Sequence, residues 1–126
     1  MTRNPLQQYG LVAMGTAGQF AVEILENRAA SRLLSIEAND WSFSFSLGEH
    51  DPANMLAHLR GHGSSSELNV GAFCGAPVML IKDNEFSDRY FLRAVSDGDL
   101  LEFVLSADGL VQFTDALAQA VHDLGS

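Results

Sequence analysis

The stretch Trp41-Ser-Phe-Ser-Phe-Ser-Leu47 decides the fold class. Trp41, Phe43, Phe45 and Leu47 take every second place, and Ser42, Ser44 and Ser46 lie between them. Side chains of an extended chain alternate between two faces, so this spacing gathers the rings on one side and the hydroxyls on the other. A strand with one apolar and one wet face belongs to an antiparallel sheet covered on one side.

Reading outward from this strand extends the pattern. Upstream, Phe20, Val22 and Ile24 alternate, which predicts a strand over 20–26. A second is expected over 32–37, closed by a turn at Asn39-Asp40. Residues 9–14 predict a short strand broken by Gly15-Thr-Ala-Gly18, after a loose polar terminus at 1–8. Downstream, Asp51-Pro52 is a helix start, with Asp51 as N-cap and Pro52 where no N–H is needed. That helix should stop at Gly61, before a loop at 63–66.

Four further strands are expected over 67–74, 77–82, 89–95 and 100–105. Asp97-Gly98 marks a tight hairpin, because the primed turns need positive φ. Val78-Met-Leu-Ile81 is apolar on both faces, which places it centrally in the sheet. A last helix, capped by Ser106 or Asp108, carries Leu110, Phe113, Leu117, Ala120, Val121 and Leu124 on one side. Gln112, Asp115, Gln119, His122 and Asp123 fall on the other.

The reading is a single α+β domain over 1–126, a mainly antiparallel sheet with a short middle helix and a C-terminal amphipathic helix packed on it. No internal repeat or domain boundary stands out. The core should gather Trp41, Phe43, Phe45, Leu47, Leu101, Phe103, Leu105, Phe113 and Leu117.

Charge narrows the function. The 126 residues carry 16 acids against 7 bases, a net charge of -9. Nucleic-acid phosphate and anionic membranes would be repelled, because both are bound by Lys and Arg. A basic partner would be attracted and steered. The lone Cys74 permits no internal disulfide, and the apolar patch Leu11–Met14 is too short for a secretory leader. A cytoplasmic protein is the expectation.

Catalytic constellations are sparse. His50, His58 and His62 lie near Glu49 and Asp51, but Gly61 interrupts the helical spacing that would align His58 with His62. No metal is expected there, since a metal needs converging ligands. Cys74, in Gly71-Ala-Phe-Cys-Gly-Ala-Pro77, reads as a small buried hydrophobe rather than a nucleophile. No G-x-G-x-x-G or phosphate-loop pattern occurs, so no cofactor is expected. The Ser42, Ser44 and Ser46 stripe reads as a wet face. No catalytic residue is assigned. Asp83, Glu85, Asp88, Asp97, Asp99 and Glu102 crowd one stretch, opposed by Arg89 and Arg93. They are read as an acidic edge that binds a partner.

In its charge, its hairpins around 83–88 and 96–99 and its closing helix, the chain resembles the immunity proteins of bacterial toxin systems. That resemblance implies a small binding protein that neutralises a cytoplasm-acting toxin, a basic protein such as a nuclease domain. The rival readings are a type III-like secretion chaperone and a small enzyme using Cys74 or the His50/His58/His62 group. The chaperones usually open on an amphipathic helix, which residues 1–19 do not resemble.

Overall fold

The computed structural model describes residues 8–48, 50–61 and 66–125. The polar terminus before Gln8, Glu49, His62 and most of the loop after it lie outside the described residues. Eight strands form one antiparallel sheet in strict sequence order. They are β1 (Gly10–Ala17), β2 (Phe20–Glu26), β3 (Arg32–Glu37), β4 (Ser42–Leu47), β5 (Glu67–Phe73), β6 (Ala76–Lys82), β7 (Arg89–Ser96) and β8 (Asp99–Ser106). Helix α1 (Asp51–Leu59) joins β4 to β5, and α2 (Ala107–Leu124) ends the chain. The α+β architecture expected from the alternating patterns is present.

Three local expectations are corrected. Strand β1 does not break at Gly15 but runs to Ala17, and the tight turn to β2 is Gly18-Gln19. The N-cap of α1 is His50. Asp51 is the first helical residue, and its carboxylate accepts the Gly48 N–H at 2.6 Å instead of capping the helix. The chain also has an internal repeat of elements, ββββα twice, where no repeat is visible in the sequence.

The two halves meet at a narrow seam, where Ser46 opposite Ala72 is the pairing between β4 and β5. Across it each helix reaches into the other half. Helix α2 packs chiefly on β1 and β2, while α1 packs on β5 and α2. Helix α2 also touches β7 and β8, so the sheet curls around it.

Side chains close the interior. The Trp41 ring stacks on Phe103 at 4.3 Å between centroids, joining the β3–β4 turn to β8. Phe43 meets Phe45, Phe73 and Phe103 at 5.1–5.4 Å, and Phe20 meets Phe113 edge-on at 5.7 Å. Phe43, Phe45, Leu105, Phe113 and Leu117 are buried. Trp41, Leu47, Leu101 and Phe103 pack against them partly covered. The predicted core is thus one cluster.

Candidate protein-binding face

The outer face of the sheet differs between the two halves. Over β2–β4 it is mixed: one lateral row is Glu23, Ser35, Ser44, another is Ala21, Glu37, Ser42, and a third sets the partly exposed Leu25 and Leu33 beside Ser46. The serine stripe is exposed as expected, and the Ser44 hydroxyl donates to that of Ser35 at 3.1 Å. Over β6–β8 the outer face is largely apolar. Ile81, Phe91 and Val104 form one row, and Val95 pairs with Leu100 in another. Val95, Leu100 and Val104 are 54%, 58% and 52% exposed. Such exposure is ordinary for scattered residues, but contiguous apolar rows mark interaction surfaces.

The two-faced apolarity of residues 78–81 now has its cause. Val78 and Leu80 point into the core, while Met79 and Ile81 point to this outer face and stay half-exposed. Strand β6 is internal to the sheet, as expected, but the described residues cover only one of its faces.

One ion pair lies between the apolar rows. Arg93 Nε donates to Glu102 Oε2 at 2.6 Å, in the row Met79, Arg93, Glu102. At the β6–β7 turn, Asp83 accepts the N–H groups of Glu85 and Phe86 at 2.7 and 3.4 Å and pairs with Arg89 at 3.5 Å. The Arg89 guanidinium also lies 4.2 Å over the Phe86 ring. Asp83 and Glu102 therefore have internal partners. Glu85, Asp88, Asp97 and Asp99 are exposed.

The structure divides the six acids between two ends. Successive turns of a meander alternate ends of the sheet, and the eight residues of β7 separate them. At about 3.3 Å per residue, Asp83, Glu85 and Asp88 lie roughly 25 Å from Asp97 and Asp99. Glu102 lies between. The acids frame the apolar rows instead of forming one edge.

Cys74 departs from its expectation. It is exposed, not buried, and occupies a two-residue turn with Gly75, both at positive φ (50° and 80°). A bulge between Asn69 and Gly71 shifts the alternation, so Phe73 turns to the core, meeting Phe43 at 5.1 Å, and Cys74 falls in the turn beyond the strand.

Of the histidine group, His50 and His58 lie apart. His50 is exposed before α1, whereas His58 is buried at its end, about 12 Å along the helix axis. The Tyr90 hydroxyl donates to the His58 carbonyl at 3.1 Å, and the two rings meet edge-on. His58 Nε2 has no partner among the described residues. A shallow cleft lined by Glu26, Ala30, Arg32, Leu47 and Gly48 holds an Arg32–Glu26 pair at 3.4 Å, so its charges offset each other.

No protein-family model and no curated protein matches the chain. No described helix is long and apolar enough to cross a membrane.

His58 carries a pH prediction. Burial holds its pKa below the usual 6.5, helped by Lys82 and opposed by the Ser66 and Leu80 carbonyls. The unfolded chain then takes up the proton before the folded one does. Stability should be full above about pH 6.5 and decline as pH falls from there towards the lowered folded value. Urea unfolding from pH 8 to pH 5 tests this. His58→Gln should flatten that part of the profile, and an unchanged slope would remove His58 as its cause.

Proposed function

We propose that the protein acts by binding a basic protein, with the outer face of β6–β8 as its contact surface. The observation that carries this reading is the uncovered apolar face beside exposed carboxylates. Apolar rows supply the contact that desolvates on binding, and the surrounding charge steers the partner in. Neutralisation of a toxin acting in the cytoplasm fits the same surface, because a bound inhibitor need do no chemistry of its own.

The test uses the basic protein that co-purifies with the chain from its own source. Val95→Lys with Leu100→Lys should weaken its binding at least tenfold, about 1.4 kcal/mol, with little change in unfolding. Asp97→Lys with Asp99→Lys should chiefly slow association. Raising salt from 50 to 500 mM should slow the wild type likewise, since the Debye length shrinks from roughly 14 to 4 Å. Surface plasmon resonance measures both rates. Unchanged affinity in the apolar double variant would reject this face. If the captured partner is an enzyme, its activity should fall in proportion to its occupancy.

A further inference from the structure

The sheet has two edges, and the fold treats them differently. At β1, two N–H groups that point away from β2 are taken by α2. The Met14 N–H donates to the Asp123 carboxylate and the Thr16 N–H to the Gln119 amide oxygen, both at 3.1 Å. Gln112 accepts the Gln19 N–H at 3.2 Å, just past the strand. A bulge between Leu11 and Ala13 further disrupts this edge. These are recognised ways of preventing an exposed strand from pairing with another chain.

At β8 none of these devices is present among the described residues. The strand Asp99-Leu-Leu-Glu-Phe-Val-Leu-Ser106 contains no Pro and no Lys, and it pairs with β7 over all eight residues without a shift. Its register fixes which groups are free. The two-residue turn makes Ser96 and Asp99 a hydrogen-bonded pair, so the odd-numbered residues bond to β7. The Ala107 N–H, bonded to the Asp88 carbonyl at 3.1 Å, continues the same phase. Leu100, Glu102 and Val104 therefore turn their N–H and C=O groups to the open edge. Among the described residues no other strand pairs there. Their side chains lie on the apolar outer face.

We propose that β8 is a strand-addition site for an extended segment of a basic partner. The segment carries apolar side chains opposite Leu100 and Val104 and Lys or Arg opposite Glu102. This rests on the binding role proposed above and specifies its mode. Backbone pairing supplies adhesion, and alternate side chains supply choice. Charge identifies the occupant. Asp97 and Asp99 lie exposed at one end of β8 and Asp108 follows the other, whereas Glu102 is paired with Arg93 at 2.6 Å. A second copy is a poor occupant. In a two-fold antiparallel pairing, the register that sets Leu100 against Val104 also sets Glu102 against its own copy, between bodies of charge -9.

The probe is a capped synthetic peptide, Thr-Val-Thr-Lys-Thr-Val-Thr, titrated into the isotope-labelled full chain. Amide NMR signals of Leu100, Glu102 and Val104 should shift, and their hydrogen exchange should slow at least tenfold at saturation. Glu in place of the peptide's Lys should weaken binding at least tenfold. N-methylation of the Val and Lys amides, which face β8, should abolish binding; N-methylation of the intervening Thr amides should not. No binding, equal binding of both methylated peptides, or shifts without slowed exchange would each overturn strand addition.

Val104→Pro provides the second arm, because the N–H it removes makes no bond to β7 and edge strands tolerate such a proline. Folded Val104→Pro should lose the peptide and most of its affinity for the basic partner. If it keeps full partner affinity while Val95→Lys with Leu100→Lys loses it, strand addition fails and the binding face stands. If neither variant alters partner binding, the binding-face reading fails too. A wild-type dimer abolished by Val104→Pro would assign the edge to a second copy and also overturn the proposal.

Discussion

Phe45→Ala is expected to lower stability by about 3–5 kcal/mol, the range for removing a fully buried aromatic ring. Phe45 is 1% exposed and among the largest fully buried side chains. Its position makes the loss hard to repair. It lies on β4, beside the seam where Ser46 and Ala72 pair the two halves. The ring extends over Gly71 on β5, and a Cβ there would meet its Cδ2 at 2.8 Å. The ring thus fills the gap that backbone pairing leaves at the seam, and Phe43 buttresses it at 5.4 Å. Loss of the ring leaves a cavity between two elements already held by few backbone bonds. The melting temperature should fall by roughly 10–20 °C for a domain of this size. Ser44→Ala, one residue away on the exposed face, should change stability by no more than about 0.5 kcal/mol. A Phe45→Ala protein within 1 kcal/mol of wild type in denaturant unfolding would mean that the seam does not depend on this ring.

The sequence disclosed the sheet because period-two alternation is a local signal that burial on one face imposes directly. Phe43 and Phe45 alternate with serines, and the structure buries the first set and exposes the second. What it hid were relations between distant elements. Gln112, Gln119 and Asp123 read as a solvated helix face, but they hold N–H groups at and beside the β1 edge. Nothing local distinguishes a solvated glutamine from one that caps a strand about a hundred residues away. Gly15 read as a strand breaker because glycine is a poor strand former, and tertiary packing overrides that preference. The acids read as one cluster because they are close in sequence, whereas consecutive hairpins open at opposite ends of a sheet. The signal for the apolar face was present at Val78-Met-Leu-Ile81, but an apolar second face reads as burial unless the covering layer is known to be missing. Partner and role were legible only as net charge.

Gly15→Val is expected to be about as damaging as loss of the Phe45 ring, through the opposite mechanism. Ala13, Gly15 and Ala17 present small residues on the face of β1 towards α2. The helix meets them with Ala116 and Ala120, both fully buried. This lets helix and strand approach so closely that a Cβ on Gly15 would collide with the Ala116 carbonyl, with Gln119 Cβ at 2.6 Å and with the Ala120 N at 2.8 Å. Two of those neighbours are helix backbone, which cannot rotate aside. The helix must therefore lift off β1. Overpacking alone costs about 1–3 kcal/mol. Lifting α2 also breaks the bonds from Gln119 and Asp123 to Thr16 and Met14, at about 0.5–1.5 kcal/mol each. The sum is about 2–6 kcal/mol, so much of the chain should be unfolded or loosely folded at 37 °C. The physical form of the damage should be specific. With its outward N–H groups released and Leu11, Val12 and Met14 already exposed, β1 becomes an open edge able to pair with other chains. Size-exclusion chromatography of the soluble fraction should show concentration-dependent oligomers that wild type does not form. Gly10→Val is the matched control, since a Cβ there meets nothing within 4 Å. It should leave stability near wild type and the chain free of such oligomers. If Gly15→Val melts with wild type and elutes with it, α2 does not seat against β1 at Gly15, and the contrast between a covered β1 and an open β8 loses its basis.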